Sequence, residues 1–276
     1  KLISEKYPKS TWHAYESVDF TAADAAYSQA CGTPVHALVH LEKARRILSL
    51  DCDFIGSEQD AHRNIRGFAL GRKSADDGMN RLYVVESMMS LTGGNADHRL
   101  RVKPSEVLKV AAAVAAELGV SGVASPSGAF SAWAAAVAKD LKDAGKGAVV
   151  VAGYSQPPAV HALAAAINSV LGAVGSTVTL VQPTEPVALG IQELTASLSA
   201  GKVSTLVILG GNPAYNAPVD LQFEAVAKKA GTVIRLGYYE DETAALATWH
   251  LAGTHFLESW GDARTADGTV VPVQPL

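Results

Sequence analysis

Short aliphatic runs recur along the whole chain, each closed by a polar turn and followed by a stretch of helical period that is often rich in alanine. Arg46–Leu50, Arg81–Glu86 and Ala148–Ala152 read as strands, as do residues 11–18, 177–181, 203–209 and 232–236. Residues 22–30, 104–118, 158–171, 186–198 and 219–230 read as helices. Strand alternating with helix points to parallel sheet, because a parallel pair needs a crossover long enough to hold a helix. Gly201 and Gly231 close two of the helices, and Pro104 opens another where its missing amide costs little. Residues 60–77 are polar and basic and read as a long loop or a short helix. Residues 119–144 are mostly alanine-rich helix introduced by Ser125-Pro126-Ser127-Gly128, with Ser127 as the candidate N-cap, before a Gly-Lys-Gly turn at 145–147.

The two halves lie on one another. Trp12-His13-Ala14-Tyr15-Glu16 corresponds to Val178-Thr179-Leu180-Val181-Gln182, residues 46–54 to 205–213, 82–86 to 233–237, and 92–98 to 243–249. This is a duplicated architecture and not a short-period solenoid. The second half carries an extra strand and helix at its front, over 148–171. The expected fold is α/β, with two Rossmann-like lobes of mainly parallel sheet flanked by helices. The expected division is a first lobe over 1–118, truncated at its N-terminus, a helical connector over 119–146, and a second lobe with a C-terminal tail over 147–276. Lys1 is not Met and already sits in what reads as a helix end, so the chain is expected to be a piece of a longer one.

Composition narrows the function classes. With 276 residues, 48% of them hydrophobic, the chain can build two modest cores. A net charge of −4 argues against a dominant nucleic-acid footprint. No apolar run approaches the roughly 20 residues that span a bilayer. Two cysteines, Cys31 and Cys52, cannot supply the four ligands of a structural zinc or iron–sulfur site, and both are expected to be buried apolar fillers. His36 and His40 have i,i+4 spacing without the Glu of a His-Glu-x-x-His site, so a chance pair is expected and not a metal centre.

The candidate site is Gly210-Gly211-Asn212-Pro213, which ends the strand at 203–209. In open α/β sheets ligands bind beyond the carboxyl ends of strands, glycines let backbone amides approach a phosphate, and the next helix start favours anions. Asn212 can hydrogen-bond a base or a phosphate. The bland alternative is a tight strand-to-helix turn with no ligand, and the motif alone does not separate the two. Glu240-Asp241-Glu242 follows the next strand and can accept from ribose hydroxyls or a guanine edge; a solvated turn or an N-cap before Thr243 is the alternative. The matching first-half loop reads Asp51-Cys52-Asp53-Phe54-Ile55-Gly56, whose carboxylates would repel a pyrophosphate. Glu86, without a glycine-rich loop beside it, is read as a turn residue or a cap preceding Thr92. His250 and His255 are expected to support a loop by hydrogen bonding. Arg63, Arg66, Arg72 and Lys73 form a basic patch, either a solvated face or a docking edge for another subunit.

Several motifs together carry a family resemblance: Met79-Asn80-Arg81-Leu82-Tyr83-Val84-Val85-Glu86-Ser87, Thr92-Gly93, Ala96-Asp97-His98-Arg99-Leu100, Gly210-Gly211-Asn212-Pro213-Ala214-Tyr215-Asn216-Ala217-Pro218, Glu242-Thr243-Ala244, Trp249-His250-Leu251 and residues 255–262. They resemble the complex iron–sulfur molybdoenzyme (molybdopterin oxidoreductase) superfamily. The likeness is greatest to the molybdopterin-oxidoreductase-like part of the large iron–sulfur subunit of alternative complex III, a bacterial quinol:electron-acceptor oxidoreductase. It covers most of the chain and is weakest over 120–146. The resemblance implies folds like domains II and III of the molybdopterin oxidoreductases, which in working enzymes hold two molybdopterin guanine dinucleotides. On that pattern Gly210, Gly211, Asn212, Pro213, Asp241 and Thr243 are the cofactor-binding positions, vestigial or of low occupancy here. The chain departs from the pattern at Glu86-Ser87-Met88, where Asp-Pro-Arg is usual, and at 51–56. It offers no catalytic residue, no metal ligand and no cofactor of its own. The resemblance therefore implies a non-catalytic scaffold in a respiratory subunit at the periplasmic face of the bacterial inner membrane. Iron–sulfur clusters would lie in a ferredoxin-like domain of the parent chain, and other subunits of the complex would be partners. The rival is a fragment of an active molybdopterin guanine dinucleotide oxidoreductase.

Overall fold

The computed structural model describes residues 2–73, 78–124, 128, 130–183, 188–265 and 267–276. The chain forms two compact units, one discontinuous (Lys1–Val18 with Glu185–Leu276) and one contiguous (Asp19–Thr184). The discontinuous unit opens with a short helix, α1 (Leu2–Lys6), and then an extended stretch. The expected strand at 11–18 is absent: its alternating residues make only an isolated bridge, His13 to Leu189.

The contiguous unit contains α2 (Ala22–Cys31), β1 (His36–Val39), β2 (Arg46–Leu50), α3 (Ala61–Arg72), β3 (Arg81–Glu86), α4 (Leu91–Gly94), β4 (His98–Arg101), α5 (Val107–Glu117), α6 (Ser131–Ala144), β5 (Ala148–Ala152), α7 (Pro158–Val170) and β6 (Val178–Val181). Four strands form a parallel sheet in the order β4-β3-β2-β5. Their near-continuous aliphatic runs follow from burial of both faces. Leu48, Leu50, Tyr83, Val85 and Val150 point one way, into the helix pair α5 and α6 through Val107, Val110, Ala111, Val114, Ala134, Val137 and Leu141. Ile47, Leu82, Val84 and Val149 point the other way, with Tyr27 of α2 and Phe68 of α3. Each fully buried aliphatic side chain contributes about 1.5–3 kcal/mol relative to exposure. At one end of the sheet Asp140 of α6 accepts from Arg46, Arg81 and Tyr83, which ties the helix to the first residues of β2 and β3.

The remaining elements belong to the discontinuous unit: α8 (Ile191–Ser199), β7 (Thr205–Leu209), α9 (Pro213–Asn216), α10 (Phe223–Ala227), β8 (Thr232–Gly237), β9 (Trp249–Ala252), β10 (Gly261–Arg264) and β11 (Val270–Val273). A parallel sheet runs β7-β8-β9, and β10 and β11 pair as an antiparallel hairpin. Ile191 and Leu198 of α8 and Phe223 and Val226 of α10 cover one face of the parallel sheet, over Leu206 and Val233.

The expected boundaries at 118 and 147 therefore move. Ala148–Ala152 was expected to open the second lobe, but it pairs in parallel with β2, in register from Arg46–Ala148 to Leu50–Ala152. The helices at 107–117 and 131–144 cover the first sheet and are not a connector. The strand expected at 177–181 pairs antiparallel with His36–Val39, which the sequence did not single out. The basic stretch at 60–77 becomes the helix Ala61–Arg72. The helix expected over 219–230 is broken at Gln222, in the left-handed region at φ 47°, and ends at Ala227. Ser127 lies outside the described residues. Cys52 is buried, but Cys31 is exposed on the last turn of α2.

Candidate cofactor loops in two copies

The duplication read from the sequence reappears bond for bond. Tyr83, third in β3, pairs with the first residue of β4, and Ile234, third in β8, pairs with the first residue of β9. The Asp51 amide donates to Val85 O at 2.7 Å, and the equivalent Gly210 amide to Leu236 O at 2.9 Å. Leu82 N donates to the Asp97 side chain, and Val233 N to the Thr248 hydroxyl. Only the correspondence at residues 12–16 fails, since that stretch is not a strand.

A clasp at the carboxyl ends of the strands is also conserved between the copies. In the first, Thr92 donates to Asp53 Oδ1 through its amide (2.9 Å) and its hydroxyl (2.8 Å), and its hydroxyl accepts from Ile55 N (3.1 Å). In the second, Thr243 donates to Asn212 Oδ1 through its amide (3.2 Å) and its hydroxyl (2.7 Å), and its hydroxyl accepts from Ala214 N (3.0 Å). Both threonines are fully buried. Two residues before each threonine, Ser90 and Asp241 accept from the Gly93 and Ala244 amides, the same N-cap bond with different chemistry. The turn conformation persists too. Gly210 has φ 69°, where glycine is unstrained, while Asp51 at the same place keeps φ 55° with a side chain that makes it less favourable.

The copies differ in charge. The second is organised by Arg235, which is 3% exposed. Its guanidinium ion-pairs with Asp241 and donates to Gly211 O (2.9 Å) and Tyr239 O (3.0 Å). Asn212 Nδ2 donates to Glu242 at 2.7 Å. Burial alone would raise Asp241; the Ala244 amide and the Arg235 guanidinium outweigh it and hold the carboxyl below its ordinary value. Gly211, Asn212, Asp241 and Thr243 are thus brought together in one network, with Gly210 and Pro213 in the same turn. Arg235 was missed in the sequence. Its signal was a cation inside an aliphatic strand, Thr-Val-Ile-Arg-Leu, where burial demands partners.

The first copy holds carboxylates instead. Glu86, 2% exposed, pairs with Arg99 and accepts from Ser90, so it is a buried ionic anchor and neither a turn residue nor a cap. Burial and then repulsion from Glu86 raise Asp51. Burial pushes Glu58 up to about 7, with Asp53 and Asp51 adding to the effect. The β2–β5 gap is where strand order reverses, the usual ligand crevice of such a sheet. Gln156 closes on Asp51 at 2.8 Å there, and Gly153 packs so tightly on the Asp51 carbonyl that a Cβ would overlap it. A pyrophosphate does not fit among Asp51, Asp53 and Glu58. In the second copy Asn212 and Asp241 are engaged by their own loop, although a Cβ on Gly210 would meet open space.

The other expected groups fall elsewhere. Arg72 of the basic patch ties Asn80 O, just before β3, to Asn95 O and Asp97 of the β3–β4 connection, and Arg63 reaches His40. His36 bonds Asp24 and His40 bonds Thr179; no metal-binding cluster occurs among the described residues. His255 accepts from Leu257 N as expected of a loop support, but His250 Nδ1 is buried without a partner. A separate cavity of about 140 Å³ in the contiguous unit is lined by His36, Phe54, Glu58, Arg63 and His161. Burial lowers the His161 pKa from its ordinary value. No described helix is long and apolar enough to cross a membrane.

No family model and no curated protein matches the chain. Among solved structures it is similar to acetylene hydratase from Pelobacter acetylenicus, with a TM-score of 0.64 at 12% identity, over 90% of this chain. The chain spans 46% of that structure's length. At this identity the likeness is one of fold. The fold is mixed α/β, with parallel sheets flanked by helices.

Proposed function

We propose that the chain is a non-catalytic, molybdoenzyme-like scaffold within a respiratory electron-transfer subunit, of the quinol:acceptor oxidoreductase type found in alternative complex III. One observation carries the reading. The side chains at the cofactor positions of both loops are engaged by their own loops, Asp53 by Thr92, Asn212 by Thr243 and Glu242, and Asp241 by Arg235. The frame of two cofactor sites persists while its recognition groups serve as struts. Electron transfer then falls to iron–sulfur clusters in a ferredoxin-like domain of the parent chain, at the periplasmic face of the inner membrane. Exposed aromatics at Tyr238, Tyr239, Phe256 and Trp260 favour contact with that domain or with neighbouring subunits. Metal analysis of the full-length protein tests the proposal. Iron without molybdenum or tungsten is expected, and stoichiometric molybdenum overturns it.

The second reading, a molybdopterin guanine dinucleotide site, is favoured by the open space at Gly210. GMP released on denaturing the full-length protein would support it.

A further inference from the structure

The duplication lets one unit report what the other lacks. Val207, Leu209, Ile234, Leu236 and Leu251 lie on one face of the β7-β8-β9 sheet, set by the registers Val207–Ile234, Leu209–Leu236 and Leu236–Leu251. Their counterparts in the contiguous unit are Leu48, Leu50, Tyr83, Val85 and Leu100, which pack beneath α5 and α6. Leu48 and Leu50 are 0% exposed; Val207 and Leu209 are 54% and 55% exposed, and Leu251 is 50%. With Trp249 beside them, these side chains make an apolar patch on the order of a few hundred Å², the size that marks an interaction surface. The edge is unfinished as well. β2 pairs on both sides, with β3 and β5, whereas β7 pairs only with β8 among the described residues. An aliphatic strand with one open edge is a template for strand addition. After β4 the chain turns into α5, but after β9 it turns into the β10–β11 hairpin.

We infer that a parallel β-strand, with an alanine- and valine-faced helix, is supplied by a further stretch of the same polypeptide and completes this sheet at the β7 edge and over its bare face. The strand takes the place that β5 holds beside β2, and the helix takes the place of α5 and α6. Small side chains suit the position because α5 and α6 meet the twin face mostly through alanine and valine. The same polypeptide is the source because the covering elements of the twin sheet come from their own chain. The structure matched at 46% coverage also leaves ample length outside the shared region. The inference rests on the reading of the chain as part of a longer subunit.

The test uses the full-length polypeptide purified without its partners and carrying Val207→Cys. Native Cys31, exposed, serves as internal reference. Maleimide should label position 207 at least ten-fold more slowly than Cys31. The outward amides of Thr205–Leu209 in the unsubstituted protein should exchange as slowly as those of β2. Equal labelling and fast exchange overturn the inference. Protection that appears only when partner subunits are added, or only as concentration rises, assigns the cover to another chain or a second copy and overturns the source. Molybdenum measured on the same sample keeps the two readings separable. Metal with slow labelling sinks the scaffold and leaves this inference standing, and no metal with fast labelling does the reverse.

Discussion

Replacing the clasp threonines by valine isolates one hydroxyl in each copy. Thr243→Val removes the bond to Asn212 Oδ1 and leaves Ala214 N without its acceptor, while Asn212 keeps the residue 243 amide. A lost neutral hydrogen bond costs about 1 kcal/mol and a stranded, partly buried donor about 1–2 kcal/mol, so roughly 2 kcal/mol is expected. Thr92→Val makes the same change at Ile55 N but also strips a hydroxyl donor from the Asp53 carboxylate, and bonds to charged groups are worth about 1.5–3 kcal/mol. Its cost should be roughly 3 kcal/mol. The volume hardly changes, so no cavity term enters. Amide hydrogen exchange reads each loop locally. Ala214 should open roughly 30-fold more readily in Thr243→Val and Ile55 at least 100-fold more readily in Thr92→Val, from about tenfold per 1.4 kcal/mol. Each effect should stay within its own unit. Equal exchange in wild type and Thr243→Val would refute the idea that the clasp holds the loop. A smaller effect at Thr92 than at Thr243 would refute the charge argument.

Glu58 sits raised at about 7, so the folded state binds its proton more tightly than the unfolded chain does. Stability should therefore fall as pH rises from the ordinary carboxyl range to about 7 and then level off. Glu58→Gln should flatten that fall in urea titrations, gaining about 1–2 kcal/mol at pH 8 after allowance for its partial exposure and nothing below pH 4. Arg235→Lys keeps the charge but loses the fork that reaches Asp241, Gly211 O and Tyr239 O together. It should cost about 2–3 kcal/mol in equilibrium unfolding and loosen the 210–216 amides, whereas a silent substitution would remove Arg235 as organiser.

Much of this architecture was legible because local rules agree with the tertiary result. Aliphatic runs such as Arg46–Leu50 and Arg81–Glu86 are buried on both faces, and their alignment with 205–209 and 232–237 survives to the level of single hydrogen bonds. What was not legible is non-local. Nothing in Ala-Val-Val-Val-Ala at 148–152 says which sheet it joins; pairing with β2 decides that. His36–Val39 is too short and too polar at its start to announce a strand, and it becomes one by pairing with β6. The alternation at Trp12-His13-Ala14-Tyr15-Glu16 suggests a strand but finds only one bridge partner. At the candidate site the loop residues were visible from their turn chemistry, while Arg235 and the engagement of Asn212 depend on which side chains meet.

The discontinuous unit has a consequence for the order of events on the ribosome. His13 Nδ1 bonds Gly190 O across 177 residues, so the first segment waits for its partner until the whole contiguous unit has been made. At about 5–20 residues per second that delay is on the order of 10–35 s. During that time the sheet of β2 to β5 has all its strands and can close, while the backbone at Trp12 and Ala14 still lacks Leu189 and the Tyr15 hydroxyl still lacks Asn216 O. The unit that finishes last therefore keeps an early extended segment without its backbone partners until residues 189 and 190 have been made.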